Sequence, residues 1–230
     1  MDEKKHIGQL FDRIAGSYDR FNHLLSLNID RHWRRRTVKK LRAAANVLDV
    51  AVGTGDLAIE IVRAGKSADV TGLDLSVEMM KIGESKAARK GLSGNIRFDT
   101  GSALQMPYPD ASFAAVTCAY GVRNFSDIDS GLREMYRVMK PGGQLAILEF
   151  SYPTAPVIRT LYDFFFCRIM PIAGRIISRD ASAYKYFRQS VKEFMTPEEL
   201  VQHIAAAGFN DIGSISMTFG ISTLYLAEKK

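Results

Sequence analysis

The stretch from Asn46 to Ala58, NVLDVAVGTGDLA, constrains the chain more than any other. Val47, Leu48, Val50 and Val52 read as a buried strand, Gly53–Thr54–Gly55 as a turn, and Asp56 as the start of a helix. Glycines let backbone approach a ligand where a Cβ would collide, and a helix N-terminus offers unpaired N–H groups. A turn of this kind, closing the first strand of an α/β sheet, is the usual seat of a nucleotide-like cofactor.

A lone G-x-G also describes an ordinary tight turn. Two acids sharpen it. Asp49 sits late in the strand, within D-x-A-x-G-x-G, and a second strand from Asp69 to Leu73 ends in Asp74, 19 positions after Gly55. An acid at that distance can accept hydrogen bonds from ribose hydroxyls. Both features suit S-adenosylmethionine at least as well as a dinucleotide. That molecule has no pyrophosphate to cradle, and its α-amino group and sulfonium make Asp49 a sensible neighbour. The expectation is a class I methyltransferase core, with a dinucleotide site as the alternative.

A chain of 230 residues can bury a substantial core. No N-terminal signal sequence is visible in MDEKKHIGQLFD, and Cys118 and Cys167 make neither a disulfide framework nor a metal cluster. A reducing cytoplasm is the expected setting, with no metal. The net charge of +6 is unevenly spread. Residues 1–45 carry 11 basic against 5 acidic side chains, residues 151–195 carry 7 against 3, and the remainder is net negative. The positive charge thus lies outside the cofactor core, where it would suit an anionic membrane surface, nucleic acid, or solvent alone.

Apolar spacing at Ile7, Leu10, Phe11, Ile14 and Tyr18 predicts a helix over 6–20, and a second is expected from Arg31 to Ala45. After strand one, helices are expected to about Ala64 and, capped by Ser76, to about Lys90. Further strands are expected at Asn95–Thr100, Ser112–Cys118 and Gln144–Phe150. A helix from Asp127 to Met139 precedes the last, broken by Pro141–Gly143. Thr196 with Glu199 makes a capping box, and Ile212–Thr218 and Ser222–Glu228 form an antiparallel pair. The alternation implies an α/β fold. It is a Rossmann-like, seven-stranded and mostly parallel sheet with an antiparallel C-terminal hairpin strand, N-terminal helices, and a helical insertion after strand five. The expected organisation is a single domain. Residues 1–45 supply N-terminal helices, 46–150 and 196–230 the cofactor core, and 151–195 an aromatic, basic insertion that covers the substrate. Charges interrupt every long apolar run of that insertion, so it is not a spanning helix. Ligands in such sheets bind beyond the strands' carboxyl ends, where Gly53–Gly55, Asp74–Leu75, Ser102–Ala103 and Ala119–Asn124 all fall.

Several motifs are more specific than the glycine turn: F-D-R-I-A-x-x-Y-D-x-x-N (Phe11 to Asn22), Y-G-V-R-N (Tyr120 to Asn124) and K-P-G-G…L-E-F-S (Lys140 to Ser151). With W-R-R at Trp33, L-D-V-A-x-G-T-G-D at Leu48 and G-L-D-L-S at Gly72, the chain resembles the bacterial ubiquinone/menaquinone biosynthesis C-methyltransferase family nearly end to end. The resemblance implies methyl transfer from S-adenosylmethionine to a ring carbon of a polyprenylated quinol. Demethylmenaquinol, the last intermediate of menaquinone biosynthesis, is the first choice and the ubiquinone precursor the second. It also implies cofactor contacts at Thr54, Asp74 and Ser102–Ala103. The family usually carries Asn at the Ser102 position and often Ser at the Ala119 position, so this chain departs there.

A carbon nucleophile in an electron-rich ring needs its hydroxyl deprotonated or strongly hydrogen-bonded, and positioning does most of the rest. None of the four histidines falls in a strand-end loop. Arg123 is therefore the expected group polarising the quinol oxygen, beside Asn124 and assisted by Tyr18 or Tyr120. The opposing reading of Arg123 is a structural ion pair. The expected cofactor residues are Asp49, Gly53, Thr54, Gly55, Asp74, Leu75, Ser102, Ala103 and Ala119. The expected partners are the quinol, membrane lipid at a peripheral contact and, as one oligomeric option, a second copy; nucleic acid is not among them. An RNA or small-molecule methyltransferase is the enzymatic alternative, and a non-catalytic binding module the other. Against the first, the loop after strand four is AYGVRN rather than N/D-P-P-Y, and Cys118 reads as a buried strand residue rather than a nucleophile.

Overall fold

The computed structural model describes residues 11–13, 15, 16, 18, 19, 26–165, 168 and 181–230, without the side chains of 181–185. Of the helix expected over 6–20, residues 11–13, 15–16 and 18–19 are helical, and the rest lie outside the described residues. The elements that follow are α1 (Ile29–Lys40), β1 (Val47–Val50), α2 (Asp56–Arg63), β2 (Val70–Asp74), α3 (Val77–Arg89), β3 (Ile96–Thr100), β4 (Phe113–Ala119), a 3₁₀ turn (Val122–Asn124), α4 (Ile128–Val138), β5 (Met139–Phe150), α5 (Pro156–Phe164), α6 (Ala181–Glu193), α7 (Pro197–Ala206), β6 (Asn210–Met217) and β7 (Ser222–Glu228).

The strands form one seven-stranded sheet in the order β3-β2-β1-β4-β5-β7-β6. β7 runs antiparallel between β5 and β6, and the strands from β3 to β5 pair in parallel. Order reverses at β1, whose neighbours are β2 and β4, so a crevice opens beyond its carboxyl end. Helices cover both faces, which is why the central strands are apolar on both sides. On one face Trp33, Ile61, Met80, Phe187 and Val191 pack over Val47, Ala146 and Leu148. On the other, Leu132, Met135, Leu200 and Ile204 pack over Leu48, Leu145 and Ile147.

The predicted caps form. Ser76 Oγ accepts from the Met79 N–H, and Thr196 and Glu199 close a reciprocal capping box. Two boundaries differ most from expectation. α1 stops at Lys40, not Ala45, because Leu41 turns extended and the Arg42 N–H donates to Gln144 Oε1 (2.7 Å) instead of continuing the helix. β5 begins at Met139, before the Pro-Gly-Gly segment. Its pairing with β4 jumps from Phe113–Met139 to Ala115–Gln144, so Lys140–Gly143 is absorbed as a bulge. Among the described residues no helix is long and apolar enough to cross a membrane.

Candidate active site

The four strand-end segments meet in one cavity of about 800 Å³, counting its open mouth. Gly53, Asp74, Leu75, Ser102, Ala103 and Ala119 line it, joined by Asn124 and, from the N-terminal helical residues, Tyr18. Sequence reasoning did not place Phe11, Met79, Leu104 and Phe125 there, and these make much of the wall apolar. The loops after β1 and β4 approach closely: a Cβ on Gly121 would sit 2.5 Å from the Ala51 Cβ. Tyr120 holds a left-handed backbone (φ 61°) in the wall, with its ring stacked on Phe150 at 4.4 Å between centroids. Strain of this kind persists only where packing over-determines it.

Asp74 is the carboxylate of the cavity among the described lining residues. Its Oδ2 accepts from the Gly53 N–H (2.8 Å) and its Oδ1 from the Ser76 N–H (2.9 Å), which fixes the carboxylate at the end of β2. Burial raises its pKa above the ordinary value, and those N–H groups limit the rise. Each carboxylate oxygen has a further lone pair to offer.

Four residues expected at the site do not line the cavity. Asp49 is buried within the sheet, where its Oδ1 accepts from the hydroxyl of its β4 neighbour Thr117 (2.7 Å). Burial pushes its pKa up to about 7, opposed by Thr117 and by the charge of Arg34. Thr54 points toward the N-terminal helical residues: its hydroxyl donates to Asp19 (2.6 Å) and accepts from Lys86 (3.1 Å). Gly55 caps α2 in the left-handed region (φ 76°), with the Phe98 ring 3.1 Å from where a Cβ would lie, so its role is close packing and the turn itself.

Arg123 is the fourth. Its side chain is 4% exposed, donates to Glu149 Oε1 (2.8 Å) and to the Tyr120 carbonyl, and lies over the rings of Phe150 and Phe187. Glu149 is fully buried and also accepts from the Arg123 N–H. This is the ion-pair arrangement rather than a group reaching for a ligand. Its Nε lacks a hydrogen-bond partner among the described residues. Neighbouring Asn124 does face the cavity; it accepts from the Tyr186 hydroxyl (2.9 Å) and donates to the Tyr120 carbonyl (3.3 Å).

A second network was not anticipated. Asp12 accepts from Ser76 Oγ (2.6 Å), and Asp19 bridges Thr54 and Lys86 (2.9 Å to Nζ), which also pairs with Asp56. The N-terminal helical residues are therefore latched to the glycine loop and to the start of α3, with Phe11 and Tyr18 turned into the cavity wall. The signal was present in F-D-R-I-A-x-x-Y-D: Phe11/Tyr18 and Asp12/Asp19 are two pairs at i,i+7, two turns apart on one helical side. Arg34, within the basic run R-H-W-R-R-R, is buried, paired with Asp30, 3.6 Å from Asp56 and 5.4 Å above the Tyr120 ring. Burial also pushes the Cys118 thiol well above its usual pKa, so it is not a poised nucleophile.

The fold and this cavity define the class I methyltransferase architecture. The crystal structure of a SAM-dependent methyltransferase from Thermotoga maritima, described as a possible histamine N-methyltransferase, superposes with a TM-score of 0.68 at 20% identity, covering 98% of this chain and 100% of that one. Sequence comparison goes further. The model of the ubiE/COQ5 methyltransferase family matches residues 1–229, and the chain belongs to that family. It is 42% identical to the ubiquinone/menaquinone biosynthesis C-methyltransferase of Geotalea daltonii, over 99% of this chain and 98% of that protein. It is equally identical to the demethylmenaquinone methyltransferase of Deinococcus radiodurans, over 100% and 95%.

Proposed function

We propose that the protein methylates a ring carbon of a polyprenylated quinol with S-adenosylmethionine as donor, with demethylmenaquinol as substrate and the ubiquinone precursor as the second choice. One observation carries the reading. Gly53, Asp74, Ser102–Ala103 and Ala119 converge with Tyr18 and Asn124 on a single cavity, in a chain that matches quinone-ring methyltransferases along its whole length.

The cavity fits the donor on its own chemistry. It opens at the carboxyl ends of the strands, is mostly apolar, and carries among its described lining residues one carboxylate held by backbone N–H groups. Asp74 would accept hydrogen bonds from ribose hydroxyls, and the Gly53 and Leu75 backbone and the Ser102–Ala103 segment would line the nucleoside; Asp49, buried within β1 with its pKa pushed up to about 7, does not reach the cavity. When bound, S-adenosylmethionine supplies an electrophilic methyl group on a sulfonium. With the quinol oxygen deprotonated, transfer would cancel its negative charge against the sulfonium, so a low-polarity wall would favour it; S-adenosylhomocysteine would be the leaving group and the displaced ring proton would pass to solvent. Phe11, Tyr18, Tyr120 and Phe125 exclude water, while Asn124 and the Tyr18 hydroxyl orient the quinol oxygen. Arg123 acts indirectly: paired with Glu149 and holding the Tyr120 carbonyl, it positions the loop that carries Tyr120 and Asn124.

Residues 1–45 and 151–195 would serve as the N-terminal helices and the substrate-covering insertion of one domain. Their basic charge supports peripheral attachment at the cytoplasmic membrane face, where the prenyl tail stays in lipid. A homodimer is compatible with this arrangement. The test is to incubate the purified protein with labelled S-adenosylmethionine and a lipid extract lacking the methylated quinone. Label in a polyprenyl quinone is expected. Label in RNA or in a water-soluble product, with none in the quinone, would overturn the reading.

A further inference from the structure

Large apolar side chains left exposed gather at the edge of the sheet where the cavity lies. Leu75 and Val77 follow the carboxyl end of β2, and Phe219 caps the β6–β7 turn beside the last residues of β5. Val157, Leu161 and Phe164 lie on α5, which begins just after β5. α5 is the clearest case because it is apolar on two sides. Tyr162 is buried and packs on Tyr152, and Ile158 and Phe165 are half-buried, so the inner side is already used. Val157, Leu161 and Phe164 recur at i, i+4 and i+7 on the other side and are 59–72% exposed. A helix in water normally keeps its second side polar. The Phe219 turn adds a 77%-exposed ring, and its Gly220 lies against Pro153, three residues before α5.

We propose that the outer side of α5, with the Phe219 turn, is a membrane-docking surface that seats in the headgroup region of an anionic leaflet. Charge selects this occupant. Arg159 and Arg168 are exposed within or just after α5, whereas its one acid, Asp163, is engaged by the Tyr152 hydroxyl. A phosphodiester backbone would use the arginines but gain nothing from Val157, Leu161 and Phe164. A second copy would set a segment of net charge +4 against itself. An anionic bilayer uses both features, the aliphatic and aromatic side chains entering the acyl boundary while the arginines stay at the phosphates. The surface lies on the side of the sheet where the cavity is built, so a ring could enter while its tail remains in lipid. That last point rests on the proposed quinol substrate; the docking surface does not.

Two variants test it. Leu161→Glu/Phe164→Glu places charge in the apolar side, and Arg159→Glu/Arg168→Glu reverses the exposed cations without touching the core. Sedimentation with vesicles of phosphatidylcholine alone, or mixed with phosphatidylglycerol, at low and high salt reads binding. Calorimetric titration with S-adenosylmethionine checks that each variant is folded. The wild-type protein is expected to sediment with the anionic vesicles, and less so at high salt. Each variant should lose about tenfold or more of that partitioning while keeping its cofactor affinity. No binding by the wild-type protein, or wild-type binding by both folded variants, would overturn the proposal. So would light scattering that shows a wild-type dimer turned monomeric by the Leu161/Phe164 variant, which would assign the face to a second copy. Methylation of a short-tailed, water-soluble quinol, measured in parallel, reports the proposed reaction separately: its absence with intact vesicle binding would remove the substrate and leave the surface.

Discussion

Replacing Arg123 with alanine would strip Glu149 of its cationic partner at a place where that carboxylate is wholly buried. The remaining donors to Glu149 are the backbone N–H groups of residue 123 (3.2 Å) and Phe150 (2.9 Å), which do not neutralise it. The variant also forfeits the hydrogen bond to the Tyr120 carbonyl and the guanidinium over Phe150 and Phe187. Breaking a buried pair from one side costs about 3–5 kcal/mol. For a domain of this size each kcal/mol moves Tm by about 2–4 °C, so the expected fall is about 6–20 °C. Removing both charges with apolar replacements, Arg123→Met/Glu149→Leu, should recover much of the loss, because no orphan charge remains. Urea unfolding followed by circular dichroism reads the stability, and cofactor titration of the folded fraction reads the site. Cofactor affinity should change little, since Arg123 does not line the cavity. A stability loss below about 1 kcal/mol, together with a collapse of turnover in fully folded protein, would refute the reasoning and return Arg123 to the substrate oxygen.

Asp74→Ala should weaken S-adenosylmethionine binding by about 1.5–3 kcal/mol, ten- to a hundredfold, with the fold retained; unchanged affinity by calorimetry would remove Asp74 from the site. Asp49 gives a pH signature. Its folded pKa is raised from 3.8 to about 7 by burial, so between those values the unfolded chain releases a proton that the folded chain keeps. Its contribution to stability is therefore complete below about pH 4, lost as pH rises to about 7, and flat above; the loss amounts to about 4 kcal/mol at most. Asp49→Asn should flatten that slope in the cofactor-free protein, and denaturation midpoints across pH 5–8 that fall as steeply as in the wild type would contradict it. Asp19→Ala should unlatch the N-terminal helical residues from Thr54 and Lys86, read as faster cofactor release in stopped-flow displacement; an unchanged release rate would detach that latch from the site.

Local chemistry was readable in the chain because it is decided within a few residues. Glycine punctuation, Ser76 and Thr196 as caps, and acids at strand ends all act through neighbouring backbone, and they located β1, the α2 start and the end of β2 at Asp74. What was not legible is decided by residues brought together by the fold. Arg34 and Arg35 stand side by side in one basic run, yet one is buried by Asp30 and Asp56 while the other reaches solvent. α1 ends early because Gln144, on another strand, takes a backbone N–H. Glu149 sits inside the apolar run that reads as β5, and nothing local announces that it captures Arg123. Asp12 and Asp19 were visible in a quoted motif, but their function depends on Ser76 and Thr54, which only the tertiary fold brings near.

In the proposed function this cavity carries a methyl group to a quinol carbon. A single-turnover reaction with S-adenosylmethionine bearing an isotopically labelled methyl, followed by nuclear magnetic resonance of the isolated product, tests it most directly. One labelled methyl bonded to a ring carbon of the polyprenyl quinol is expected, formed by the wild-type protein and slowed in Asp74→Ala at sub-saturating cofactor. Label on a quinol oxygen, or stoichiometric cofactor binding with no transfer to the ring, would contradict it.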